Sequence, residues 1–158
     1  MPILKEPEFV EKLPQAPGDS SEQREAETAM VAALSLRRGV ELGPKTIELG
    51  NGVRVQVDGV AADFSVLCEA TARQGTLKSS QRHKVMHDAF KLVYLRNQWP
   101  DADLVLLFSH EGAAKDFRPA SKSWMAKAVA AAGLKIEVVE VPADLQARLI
   151  EAQDRQKR

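Results

Sequence analysis

From residue 53 the chain alternates strictly: Val53, Val55 and Val57 interleave with Arg54, Gln56 and Asp58. That is the two-residue period of a strand with one apolar face. The segment FSVLCEATA, residues 64–72, repeats the pattern, with Phe64, Val66, Cys68 and Ala70 on one side and Ser65, Leu67, Glu69 and Thr71 on the other. Gly59 and Asp63 fall between the two segments and supply turn chemistry, so the spacing predicts a hairpin. Upstream, TIEL is joined to VRVQVD through Gly50-Asn51-Gly52, a hairpin turn signal that adds another strand.

Helical spacing flanks this meander. A helix is expected from an Asp19/Ser20/Ser21 cap to about Arg38, with Met30, Val31 and Leu34 as its inner stripe and Glu27 falling inside that stripe. A second is expected from about Ser80 to Gln98, with Val85, Ala89, Leu92 and Val93 facing inward and Pro100 as its stop. DLVLLFS then reads as a strand covered on both faces and paired in parallel. A helix over 121–132, a strand over KIEVVEV and a charged helix from Ala143 complete the order. The helix between two apolar strands makes a βαβ unit.

Asp58 and Glu69 are the candidate chemistry. The hairpin would set both on one face, and two carboxylates held close on a rigid sheet persist where a cation or a shared proton stabilises them. A polar, solvated sheet face that happens to carry two acids is the alternative.

Composition limits the classes of function. The 158 residues, 44% of them hydrophobic, suit one ordinary core. We expect residues 1–18, with Pro2, Pro7, Pro14 and Pro17, to be an extended or disordered arm, and 19–158 to be a single α/β domain. Basic and acidic residues number 22 each, so net charge announces neither nucleic acid nor membrane. The distribution is uneven: between residues 70 and 99, Arg73, Lys78, Arg82, Lys84, Lys91 and Arg96 face a single acid, Asp88. One cysteine, Cys68, at an inward strand position, indicates a buried reduced thiol. With no leader-like start and no apolar run long enough for a membrane span, a soluble cytoplasmic protein is expected.

The order α-β-β-β-α-β followed by α-β-α, with Val57-Asp58-Gly59 ending the second strand and Glu69-Ala70-Thr71 inside the third, resembles the PD-(D/E)XK nuclease superfamily. The likeness covers residues 20–140, and the block EATARQGTLKSSQRHKVMHDAFKL is similar to a small bacterial branch with a degenerate motif. The resemblance implies a restriction-endonuclease-like fold: an αβββαβ core, a mixed central sheet flanked by helices, and a C-terminal αβα extension. It also implies metal-assisted phosphodiester hydrolysis. Asp58, Glu69 and the Ala70 carbonyl would hold Mg²⁺ or Mn²⁺, with Glu27 as a further acid from the first helix.

The third residue of the triplet is Thr71, where the family has lysine. The resemblance implies that Lys78 or Lys84 supplies that charge from the following helix, with Gln81 beside it. An ordinary ion pair of Lys84 with Asp88 is the competing reading. Arg73, Arg82 and His83 are candidates for phosphate contact in DNA or RNA, against a merely solvated helix face. His83 and His87 stand at the i,i+4 spacing of a zinc pair but without HExxH or CxxC context. Two functions stay open: a metal-dependent nuclease-like hydrolase, and a catalytically inactive nuclease-fold module binding nucleic acid or protein. A homodimer is compatible with either.

Overall fold

The computed structural model describes residues 21–157; the proposed arm over 1–18 and the Asp19/Ser20 part of the first cap lie outside the described residues. Helix α1 is Ser21–Arg38, followed by strands β1 (Leu42–Glu48), β2 (Arg54–Ala61) and β3 (Val66–Thr71). Helix α2 is Ser79–Leu95, and its last turn continues as tight turns to Trp99 before Pro100. Strand β4 (Asp103–Phe108), helix α4 (Trp124–Ala131), strand β5 (Lys135–Val138) and helix α5 (Ala143–Gln156) complete the chain. One element escaped the periodicity, a four-residue helix α3 (Glu111–Ala114) running into a 3₁₀ turn at Lys115–Phe117. It is too short to show a helical period, and its start is made by His110, whose Nδ1 accepts from the Gly112 N–H at 2.9 Å.

The five strands lie in sequence order, with β1, β2 and β3 antiparallel and β3, β4 and β5 parallel. A helix, a three-strand meander and a helix–strand unit completing a mixed sheet form a restriction-endonuclease-like core. α1 and α5 cover one face, packing Met30, Val31, Leu34, Leu145 and Leu149 on Cys68, Ala70, Val105 and Leu107. α2, α4 and the 3₁₀ turn cover the other, where Val85, Leu92, Phe117 and Val129 meet Val57, Leu67, Leu104, Leu106 and Phe108. Sandwiching explains why DLVLLF carries no polar alternation: both sets of its side chains are buried. Each buried leucine or valine contributes about 1.5–3 kcal/mol relative to exposure. Across the first face, the Arg148 guanidinium donates to both carboxylate oxygens of Glu25 at 3.0 and 2.8 Å, tying α5 to α1.

The β1–β2 turn follows its sequence, with Gly50, Asn51 and Gly52 all at positive φ (93°, 54° and 80°). Gly59 departs from expectation. It is a strand residue within β2, and the turn to β3 is made further on, at 62–65, where Asp63 accepts from the Ser65 N–H at 3.0 Å and Phe64 takes a φ of 59°. β2 also carries a bulge: Gly43 opposes Val60 while Lys45 opposes Val57, leaving Asp58 and Gly59 against Pro44. The extra residue resets the alternation, so Val55, Val57 and Val60 all pack on the α2 side.

Gly59 is also where α1 approaches the sheet. A Cβ there would lie 3.1 Å from Val31 Cγ1 and 3.4 Å from Cys68 Cβ. Gly59→Val should therefore cost about 1–3 kcal/mol in denaturant unfolding through overpacking, and adding Val31→Ala should recover part of it. Equal losses with and without Val31→Ala would place the cost elsewhere.

Candidate active site

The antiparallel pairing of β2 and β3 ends at Gly59 and Cys68. At the next position side chains take over from the ladder. The Ala70 N–H donates to Asp58 Oδ2 at 2.9 Å, and the Asp58 N–H donates to Glu69 Oε1 at 3.3 Å. Each acid thus bonds the backbone of the opposite strand. Beyond this point β3 continues in register with β4 through Thr71, while the Gln56 carbonyl of β2 accepts from Lys91 Nζ of α2 at 2.8 Å. The two strands have parted, and the acids sit at the fork.

Strict alternation sets both acids on one face of the hairpin, with a merely solvated polar face as the alternative. The solvated alternative does not hold for Glu69. Glu69 keeps only 4% of its surface and projects from β3 on the same side as Leu67, into the layer under α2. Asp58 is the bulge residue, half-buried, and also lines a cleft of about 280 Å³ on the α1 side with Glu27, Val31, Leu42 and Pro44. A bulge re-aims a side chain in this way without changing its place in the sequence.

Lys91 Nζ lies 3.1 Å from Glu69 Oε1. Next to it on α2, Asp88 is buried and its Oδ2 accepts from Lys84 Nζ at 3.3 Å, while His87 Nδ1 stands 3.5 Å from Oδ1. Burial, then the charges of Asp58 and Asp88, push the Glu69 carboxyl up to about 8 against the opposing pull of Lys91. Lys84 is balanced the other way. Its side chain keeps 62% of its surface, and partial desolvation pushes its ammonium down, but Asp88, Glu27 and Asp58 outweigh this and hold it above the usual lysine value. Cys68, on the opposite side of β3, is fully buried and its thiol is pushed well up by burial and by Asp58 and Glu69.

The fork therefore gathers Asp58, Glu69 and the Ala70 backbone, with Lys84 within electrostatic reach of Asp58 and of Glu27 on α1. The other residues singled out in the sequence have different places. Gln81 Oε1 accepts from the Lys78 N–H at 2.7 Å, so both residues shape the start of α2. Arg82 donates to the Leu77 carbonyl at 2.8 Å and lies 3.9 Å from Asp116. His83 is exposed, and Arg73 is half-buried, its guanidinium shifted down by burial. Ser109 is buried, donating to the Arg73 carbonyl at 3.1 Å.

Lys91 and Asp88 were missed as site residues. A signal existed: Lys84, Asp88 and Lys91 fall at i, i+4 and i+7, a polar stripe beside the apolar stripe of Val85, Ala89 and Leu92. Such a stripe fits charge turned towards the core as well as charge turned to water, so it nominates these residues without deciding between the two.

All the donors at the fork are oxygen: two carboxylates and a carbonyl, the set a small hard dication takes. Among the described residues no three His, Cys, Asp or Glu side chains converge as a complete cage.

No protein-family model and no curated protein matches the chain. Solved structures do. A repair endonuclease from Pyrococcus abyssi aligns over 81% of this chain and 50% of its own, with 21% identity and a TM-score of 0.41. EndoMS in its apo form aligns over 78% and 48%, with 20% identity and a TM-score of 0.36. An EndoMS complex with dsDNA aligns over 82% and 49%, with 17% identity and a TM-score of 0.41. The chain spans about half the length of these proteins, and at such scores the likeness carries no functional weight. Among the described residues no helix is long and apolar enough to cross a membrane.

Proposed function

We propose that the protein is a divalent-metal-dependent, nuclease-like hydrolase of phosphodiester bonds, with its centre at the β2–β3 fork. The observation that carries this reading is the interleaving of Asp58 and Glu69 where the strands part, each carboxylate bonded to the other strand's backbone and one of them raised to about 8. Burial and the charges of Asp58 and Asp88 raise Glu69 despite the Lys91 ammonium, so further positive charge between the two acids is favoured.

Asp58, Glu69 and the Ala70 carbonyl would hold Mg²⁺ or Mn²⁺, and Glu27, which lines the α1-side cleft with Asp58, would be the further acid. The bound ion would supply Lewis acidity and a more acidic water. The chain's own residues would do the rest. The backbone bonds of Asp58 and Glu69 fix both carboxylates without relying on side-chain rotamers. Thr71 leaves the triplet's usual lysine position without charge, and Lys91 delivers an ammonium to Glu69 from α2 instead. Lys84, paired with Asp88, stands as a second cation to meet phosphate oxygens. Lys78 and Gln81 act through the start of α2, which carries both lysines.

A second reading has one observation in its favour: Lys91 already occupies Glu69 Oε1 at 3.1 Å, so a folded, metal-free module binding nucleic acid is chemically consistent. A Mn²⁺ titration followed by electron paramagnetic resonance separates the two. We expect one bound Mn²⁺ in the wild type and loss of that binding, together with Mn²⁺-supported cleavage of DNA or RNA, in Asp58→Asn. Wild-type protein that binds no Mn²⁺ between pH 6 and 9 leaves only the binding module.

A further inference from the structure

A groove of about 800 Å³ opens between β2 and α2, on the solvent side of the fork. Its walls bring together two aromatic rings, Phe90 and Tyr94, and four cationic or imidazole side chains, Arg54, His87, Lys91 and Arg96; no carboxylate among the described residues lines it. Phe90 keeps 76% of its surface and Tyr94 48%, on a helix whose opposite face is fully packed. They stand at i and i+4, so the rings lie one turn apart on the same side, with roughly 6 Å between their Cβ atoms.

We propose that this groove is a stacking site for single-stranded nucleic acid, with two successive bases laid on Phe90 and Tyr94 and the backbone following the basic wall towards the fork. The inference deepens the nuclease reading and rests on it for direction, since Lys91 lines the groove and also bonds Glu69. Charge selects this occupant over a second copy of the chain. A wall of cationic side chains and exposed rings with no carboxylate among the described residues of its lining matches a polyanion with π-faces, and the exposed large apolar surface that a protein–protein contact would bury is limited here to the two rings. The cations differ in their availability. Arg54 is paired with Glu48 at 3.4 Å, both side chains largely exposed, an exchangeable surface pair. Arg96 donates to the Ala132 carbonyl and Lys91 to the Gln56 carbonyl, so those two shape the wall. A duplex offers its bases only edge-on and cannot lay them on either ring.

The test is fluorescence anisotropy with a labelled mixed-sequence 20-mer, as single-stranded DNA, single-stranded RNA and the DNA duplex, in EDTA so that no cleavage intervenes. The wild type should bind the single strands more tightly than the duplex. Phe90→Ala and Tyr94→Ala should each weaken single-strand binding roughly tenfold, with Tyr94→Phe close to wild type. Arg54→Ala should lower the salt slope by about 0.7 and leave the ring dependence intact. Both rings are exposed, so unchanged thermal midpoints control for folding. Single-strand affinities unchanged by both alanine variants would overturn the proposal. So would a concentration-dependent dimer in sedimentation that both variants dissociate while oligonucleotide binding stays the same. Ring-dependent binding in a protein that cleaves nothing with Mg²⁺ or Mn²⁺ would keep the groove and remove the nuclease reading.

Discussion

Lys91→Met should lower Mn²⁺-supported cleavage by roughly a hundred- to ten-thousandfold, the range for removing a positioned charge or proton-transfer group. The ammonium sits 3.1 Å from Glu69 Oε1, closer to the proposed centre than any other lysine contact described above. The variant should still fold. Glu69, raised to about 8 even with Lys91 beside it, already holds a proton at pH 7 and holds it more firmly without that ammonium, so no unpaired charge is left in the layer. Metal binding then competes with that proton. Mn²⁺ affinity should fall at pH 7 and recover as pH rises, while cleavage stays low throughout. Lys84→Met should lose less, because its Nζ rests on Asp88. Equal cleavage by wild type and Lys91→Met would return the missing charge to Lys84 or Lys78.

Glu69→Gln should stabilise the metal-free protein at high pH, by an amount on the order of a few kcal/mol. The sign follows from the raised carboxyl. Between the unfolded value of 4.5 and the folded value of about 8, the native state holds a proton that the unfolded state has released. Stability from this group is thus fully present below pH 4.5 and is lost as pH rises through 8. Glutamine removes the titration. Wild type and variant should unfold alike below about pH 4.5, diverge progressively from there to pH 8 and stay apart above it, with the variant's midpoint several degrees higher by pH 9. Mn²⁺ should restore the wild type at pH 9 and leave the variant unaffected. A wild type that gains stability between pH 5 and 9 relative to Glu69→Gln would show that Lys91 dominates the group's environment.

The order of elements was legible because it depends on local signals. Valine alternation over 53–57, the Gly50-Asn51-Gly52 turn and the unbroken DLVLLF run each specify an element or a connection without reference to any other part of the chain. Three features were not legible. The bulge at Asp58 and Gly59 is a relation between β1 and β2, and alternation within one strand carries no information about how many residues its neighbour sets against it. The burial of Glu69 depends on α2 lying over that half of β3. Glu69 follows Leu67 and precedes Thr71, a mixed face that reads equally as solvated or covered. Lys91 was counted in the basic segment but not in the site, because a lysine's reach of several bonds hides which way it turns from a helix border. Asp58, Glu69 and Lys84 were identifiable as residue types; the fork that brings them together was not.

Cys68 offers a way to time the opening of this sheet. The thiol is the chain's only one, lies fully buried in the strand that carries Glu69, and is shifted well up by burial and the two acids, so a thiol reagent meets neither surface nor thiolate in the native state. Labelling must wait until α1 lifts or β3 separates from its neighbours. The modification rate under native conditions is then a clock for that opening, and its free energy follows from the rate relative to a free cysteine. Because β3 carries both the sulfur and the proposed ligands, a bound cation would slow the clock in protein that has cleaved nothing, giving an occupancy readout that needs no substrate.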